Sequence, residues 1–150
     1  MAVGIFSQFI KDSHESWRIG SAGLYAEPGY PAAQNTLKVL QKRGVELRDH
    51  RSQMVTPELI AEFQVILTME KGQKEALRAA YPQYARKILL FAEIVGENKD
   101  IIDPIGRSLL EYEDTAREMI SILSRGFDRI KELTTPLMET DEGIANPGQA

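Results

Sequence analysis

The first third of the chain alternates short apolar patterns with glycine and proline. Apolar positions at helical spacing in residues 1–12 predict a helix that begins almost at the first residue (Val3, Phe6, Phe9 and Ile10). Residues 17–21 (WRIGS) predict a short strand that runs into a glycine turn, and residues 26–34 carry the prolines and glycine of a loop. Pro31 opens a helix that Gly44 ends, and residues 45–47 (VEL) predict another short strand.

The middle of the chain predicts two buried strands and two helices. Thr56, Pro57 and Glu58 mark a helix start, because a capping hydroxyl is followed by proline at the first helical position and by an acid. The continuous apolar run of residues 64–69 (QVILTM) is typical of a strand buried on both faces. A helix over residues 70–80 and a further buried strand over residues 87–91 (KILLF) follow.

A long amphipathic helix completes the patterned part of the chain. Ser108 and Glu111 form a capping box, and the helix is predicted to reach about residue 133. Its apolar face consists of eight residues (Leu109, Tyr112, Ala116, Met119, Ile120, Leu123, Phe127 and Ile130). Residues 134–150 contain turn residues and acids without periodicity, so we expect one domain over residues 1–133 and a disordered tail over residues 134–150.

Strands that alternate with helices predict an α/β fold with a parallel sheet covered on both faces. Sites in such sheets lie beyond the carboxyl ends of the strands. Three loops leave predicted strand ends here, with the sequences SAGLYAEPG, TMEKG and IIDPIG. The Asp-Pro pair at Asp103 and Pro104 therefore lies on the edge where function is expected.

Composition excludes several classes of protein. The 43% hydrophobic and 27% charged residues are those of an ordinary globular domain. A net charge of −4 argues against a nucleic-acid partner, which normally requires a clustered basic face. The sequence predicts no membrane span and no signal peptide, so a cytoplasmic location is the default expectation.

The chain contains no cysteine and only two histidines, His14 and His50. Disulfides, thiolate metal sites and cysteine nucleophiles are therefore absent from these 150 residues. A histidine-rich metal site is not expected either, and we predict neither a metal nor a cofactor. The sequence does not determine the oligomeric state.

Four sequence blocks together resemble the low molecular weight protein tyrosine phosphatases. In chain order they are RIGSAGLYAEPGYPA, LRDHRSQMVTPELI, FQVILTMEKGQKEAL and IIDPIGRSLLEYEDTAREMI, within residues 1–133. The resemblance implies a three-layer α/β/α fold with a parallel sheet. It also implies a first central strand and a Cys-x5-Arg-Ser-Pro phosphate loop, which this sequence lacks. The opening MAVGIF is similar to the helix that follows Ser-Pro, so we expect Met1 to match an internal methionine of the family.

The resemblance assigns roles to four residues. It makes Asp103 the general acid and base, although an Asp-Pro pair alone is more often a turn. Ser21 and His50 match side chains that support the phosphate loop. The sequence alone favours a turn hydroxyl for Ser21 and an ordinary surface histidine for His50, and the resemblance makes the supporting role about as good an interpretation. Tyr25 is weakly assigned to a wall of the substrate cleft. An apolar surround of isoleucines (Ile101, Ile102 and Ile105) is expected to enclose the acid.

The implied substrates are phosphorylated proteins, with phosphotyrosine or phosphoarginine as the modified residue. Ile105 and Gly106 stand where phosphotyrosine-specific members often carry aromatic residues, so the choice is open. Without the cysteine and arginine we expect this chain to be inactive and only marginally stable. The alternative is a non-catalytic binding or regulatory protein built on the same scaffold.

Overall fold

The computed structural model describes residues 1–135. Most of the predicted disordered tail, residues 136–150, lies outside the described residues, while Thr134 ends the last helix and Thr135 caps it. The described part contains five α-helices: α1 Ala2–Ile10, α2 Gln34–Gln41, α3 Pro57–Glu62, α4 Lys71–Ala80 and α5 Leu109–Thr134. Two strands, β1 Ile66–Thr68 and β2 Ile88–Leu90, and two 3-10 helices, Pro82–Lys87 and Phe91–Val95, complete it.

The sheet is parallel, as the alternation of strands and helices predicted. β1 pairs with β2 in parallel register, with Ile66 opposite Ile88 and Thr68 opposite Leu90. One cluster of buried side chains joins α1, α2 and α5, and a second joins α3, α4 and β2. Helices therefore cover both faces of the sheet, which confirms the three-layer α/β/α class.

Three strand predictions need correction. Residues 17–21 and 45–47 form no strand ladder; residues 16–22 run without helix, turn or bend, and a single parallel bridge follows, between Gly23 and Met54. The strand predicted over residues 64–69 is shorter, and its first two residues are half-buried rather than buried on both faces. A strand requires a partner through space, and within the described residues only β2 pairs with β1.

Local helix signals were more reliable. Thr56 accepts a hydrogen bond from the N–H of Leu59 and precedes Pro57, as predicted. The capping box is also confirmed, because the Ser108 hydroxyl accepts from the N–H of Glu111 at 3.3 Å and the Glu111 carboxylate accepts from the N–H of Ser108 at 2.9 Å. The helix predicted to open at Pro31 begins three residues later, at α2.

α5 organises the larger cluster by packing against α1, α2 and Phe91–Val95. Phe127 on α5 contacts the rings of Phe6, Phe9 and Trp17 at centroid distances of 5.6–5.8 Å. This aromatic cluster fixes the start of residues 17–22 against the helical layer. None of the helices between residues 1 and 135 combines the length and the hydropathy that crossing a bilayer requires.

Candidate active site

A cavity of about 800 Å³ lies beside β1, and we call it the central cavity. Residues 17–24 line one side of it, and residues 64–70 line another. The start of α1, the loop at residues 101–105 and the inner face of α5 complete its walls. Its position beyond and beside a parallel strand is the place where an α/β fold is expected to carry its site.

The loop that carries Asp103 is attached directly to the end of β1. The N–H of Ile101 donates to the carbonyl oxygen of Met69 at 2.8 Å, and the Ile101 side chain is buried. Pro104 is buried as well, and its carbonyl oxygen accepts from the N–H of Arg107 at 2.9 Å. Gly106 adopts a φ of 75°, which a residue without a Cβ adopts at little cost. The loop is thus held at both of its ends.

The Asp103 side chain lines the central cavity and also closes a turn. Its Oδ1 atom accepts a hydrogen bond from the N–H of Ile105 at 3.0 Å, as the simpler reading of an Asp-Pro pair requires. The expected enclosure by three isoleucines is wrong, since Ile102 is 61% exposed and Ile105 is 71% exposed. Only Ile101 is buried, because its side chain packs into the main core.

The charge of Asp103 acts on two ionisable groups. Burial raises the pKa of the Tyr112 hydroxyl, and the negative charge of Asp103 raises it further. Burial lowers the pKa of the Met1 α-amino group, and the charge of Asp103 opposes that shift. Sequence reasoning assigned Tyr112 only to the apolar face of α5. The sequence signal that was available is the hydroxyl of Tyr112, a polar group on the apolar face of α5 one turn after the N-cap residue Ser108.

Ser21 lines the same cavity. Its carbonyl oxygen accepts a hydrogen bond from Nε2 of Gln53 at 2.9 Å. Gly23, two residues on, exchanges backbone hydrogen bonds at 3.0 Å with Gln53 and Val55. Gln53 therefore positions this segment by side chain and backbone together, a role that sequence reasoning missed.

His50 and Tyr25 lie outside the residues that line the central cavity. His50 is half-buried, and burial lowers the pKa of its imidazole, with smaller contributions from the Met1 amino group and from Arg51. Tyr25 is 91% exposed. The structure thus brings Asp103 and Ser21 to one cavity and leaves His50 and Tyr25 outside its lining.

Across residues 1–135, no three histidine, aspartate or glutamate side chains converge as a set of ligands. The cavity lining includes three carboxylates (Glu15, Glu70 and Asp103), the phenol of Tyr112 and the hydroxyls of Ser16 and Ser21.

Comparison with known proteins identifies the relatives of this chain. The sequence model of the family described as low molecular weight phosphotyrosine protein phosphatase matches residues 1–136. The chain is similar to the probable low molecular weight protein-tyrosine-phosphatase EpsP of Ralstonia nicotianae, with 31% identity over 108 residues, 72% of this chain and 70% of that protein. It is also similar to the protein-arginine-phosphatase of Bacillus subtilis, with 26% identity over 133 residues, 88% of each chain.

Solved structures agree with the fold. The low molecular weight protein tyrosine phosphatase from T. tengcongensis superposes with a TM-score of 0.81 at 33% identity, covering 85% of this chain and 88% of that chain.

Proposed function

Because the chain belongs to the low molecular weight phosphotyrosine protein phosphatase family, we propose that Asp103 is the general acid and base of a phosphomonoesterase site. A carboxylic acid in this role protonates the leaving oxygen and then takes a proton from the attacking water. The observation that carries the proposal is the attachment of the Asp103 loop to the end of β1, with the carboxylate on the central cavity.

The same proposal assigns supporting roles to three residues. Ser21 lines the same cavity as Asp103, and its hydroxyl is of the kind that is able to hydrogen-bond to a phosphate-binding loop. His50 is half-buried outside the cavity lining, so its assignment to the support of a phosphate-binding loop rests on the sequence resemblance. Tyr25 is exposed outside the cavity, so its assignment to a cleft wall rests on the sequence resemblance alone.

The substrate class that we propose is phosphorylated protein. The relatives include proteins named as tyrosine phosphatases and as an arginine phosphatase. The exposed Ile105 beside Asp103 offers an aliphatic rather than an aromatic surface to the modified residue. Phosphotyrosine and phosphoarginine proteins are therefore both candidates, and an assay must present both.

We further propose that these 150 residues by themselves do not turn over phosphomonoesters. The family mechanism requires a thiolate that attacks phosphorus, and the chain contains no cysteine. Asp103 then has no covalent intermediate to protonate or hydrolyse. The acid group is retained, and the nucleophile is absent from the sequence.

The first experiment measures phosphate release by the purified 150-residue chain from para-nitrophenyl phosphate, a phosphotyrosine peptide and a phosphoarginine peptide. We expect no release above buffer from the wild type or from Asp103→Asn. The proposed inactivity would be contradicted if the wild type released phosphate, if Asp103→Asn abolished that release and if the exposed control Asp114→Asn kept it.

A second experiment tests the role of Asp103 directly. The chain is fused behind the N-terminal cysteine-containing segment of the Ralstonia relative, and kcat is measured for the fusion and its variants. Loss of a general acid lowers kcat by about 10²–10⁴-fold, so Asp103→Asn is expected to fall in that range while Asp114→Asn stays at the fusion's level. An active fusion that tolerates Asp103→Asn would remove Asp103 from the mechanism.

A further inference from the structure

Ser52 connects two segments that are distant in the sequence. Its hydroxyl donates a hydrogen bond to the carbonyl oxygen of Glu27 at 2.5 Å and accepts one from the N–H of Tyr30 at 2.9 Å. The backbone of Ser52 repeats the link, because its N–H donates to the carbonyl oxygen of Tyr30 at 2.8 Å and its carbonyl oxygen accepts from the N–H of Gly29 at 2.9 Å. One serine therefore makes four hydrogen bonds to residues 27–30.

A turn that carries Tyr25 lies between the Ser52 hydrogen bonds and a second point of attachment, and we call it the Tyr25 turn. The second attachment is Gly23, whose N–H donates to the carbonyl oxygen of Gln53 and whose carbonyl oxygen accepts from the N–H of Val55, each at 3.0 Å. A Cβ atom on Gly23 would lie 2.9 Å from the Cβ atom of Ala26, so the chain folds back tightly here. The backbone on both sides of Tyr25 is thus held in place.

Tyr25 is open to solvent although its backbone is held. The residue is 91% exposed and lies outside the lining of the central cavity, whereas the preceding residue, Leu24, belongs to that lining. Successive Cα atoms are about 3.8 Å apart, so the Tyr25 turn stands at the border of the cavity that Asp103 also lines. A tyrosine on a fixed backbone offers a large contact area and loses little conformational entropy on binding, which favours a role in recognition.

The position of Tyr25 decides which part of a substrate it is able to contact. In the proposed phosphatase site, a phosphorylated side chain that reaches Asp103 enters the central cavity, and Tyr25 lies outside the cavity lining. The polypeptide that carries the phosphorylated residue stays outside the cavity, where the Tyr25 turn is exposed. A small phosphomonoester has no such polypeptide, so the Tyr25 turn distinguishes a protein substrate from a small one.

We propose that Ser52 is a positioning residue for protein substrates, because it holds the Tyr25 turn where the polypeptide beside a phosphorylated residue must lie. The inference rests on the proposed phosphatase function. Ser52 itself lies outside the cavity lining, so it needs no contact with substrate and acts through residues 27–30. Removal of its hydroxyl therefore loosens the Tyr25 turn and leaves the surroundings of Asp103 unchanged.

The first experiment measures amide hydrogen exchange by NMR in the 150-residue chain and in two variants, Ser52→Ala and Ser52→Thr. In Ser52→Ala the amide of Tyr30 loses its acceptor and is expected to exchange about tenfold faster, and the amide of Gly29 is expected to follow as the loop opens. The amides of Gly23 and Val55 bond to backbone oxygens of other residues and serve as internal references. Ser52→Thr keeps a hydroxyl and is expected to keep the wild-type rates.

The second experiment measures kcat and KM of the fusion that carries the cysteine-containing segment of the Ralstonia relative. With a phosphotyrosine or phosphoarginine peptide, Ser52→Ala is expected to raise KM about three- to tenfold and to leave kcat within about twofold of the parent fusion. With para-nitrophenyl phosphate, neither constant is expected to change. Ser52→Thr is expected to restore the peptide KM, and Ser124→Ala, at an exposed serine of α5, is the matched control. Tyr25→Ala is expected to raise KM as well, and its combination with Ser52→Ala is expected to add little, because Ser52 acts through the Tyr25 turn.

Three results would overturn the inference. The first is an unchanged exchange rate of the Tyr30 amide in Ser52→Ala, which would mean that Ser52 does not hold the loop. The second is an unchanged peptide KM in an active Ser52→Ala fusion. The third is an equal loss with para-nitrophenyl phosphate, which would assign the effect to the whole fold. An inactive parent fusion would remove the proposed function and the specificity role with it, whereas an active fusion that tolerates Asp103→Asn would remove only the role of Asp103.

Discussion

Replacement of Gly126 by alanine tests the packing of α5 against the rest of the fold. Gly126 is buried on α5 and faces the 3-10 helix Phe91–Val95. A Cβ atom at this position lies 2.6 Å from Cγ1 and 2.8 Å from Cδ1 of Ile94, and 3.0 Å from Cγ1 of Val95. All three distances are shorter than ordinary van der Waals contact, and Ile94 is itself buried. Either Ile94 or the helix must therefore move.

Two free-energy contributions determine how much Gly126→Ala changes the stability of the fold. Overpacking of a close-packed interior costs about 1–3 kcal/mol. Alanine stabilises a helix relative to glycine by about 1 kcal/mol, which offsets part of that cost. Gly72 on α4 provides the matched control, because a Cβ atom there has nothing within 4 Å and gains helix propensity without a clash. The difference between the two variants isolates the strain, which we expect to be about 1–3 kcal/mol.

The assay is equilibrium urea unfolding followed by Trp17 fluorescence and far-UV circular dichroism. Gly126→Ala is expected to unfold at lower urea than Gly72→Ala, with an unchanged m-value, since the surface exposed on unfolding is the same. Equal or greater stability of Gly126→Ala would refute the reasoning. It would mean that α5 and Phe91–Val95 are not packed as tightly as the described contacts indicate.

Two further predictions concern a histidine and a helix cap. Burial lowers the pKa of His50 from 6.5, so the unfolded chain binds a proton at this residue more readily than the folded chain does. The wild type should therefore lose stability relative to His50→Gln as the pH falls through about 6.5. Urea midpoints at a series of pH values measure this, and a difference between wild type and His50→Gln that stays constant across this range would contradict it. Ser108→Ala should cost about 1 kcal/mol by removing the α5 cap, whereas Ser124→Ala, exposed in the middle of α5, should cost less. Equal losses in a urea titration would show that the cap does not stabilise α5.

Local sequence signals were sufficient to predict where α3 and α5 begin. Thr56 and Pro57, and the pair Ser108 and Glu111, act within a few residues of one another, so their geometry follows from the chain itself. The parallel α/β class followed from the order of elements, because strands separated by helices pair in parallel. The absence of a thiol nucleophile from these residues is also a property of the sequence alone.

Strand formation and the surroundings of the acid required the tertiary structure. Residues 17–21 carry a strand pattern, yet a ladder forms only where a second backbone lies alongside, and among the described residues none does. In the same way, the effect of the Asp103 charge on the pKa of Tyr112, the exposure of Ile102 and the lowered pKa of His50 depend on the folded arrangement of the chain. Residue patterns encode which elements form locally. Only packing through space decides which backbone edges meet and which groups a carboxylate faces.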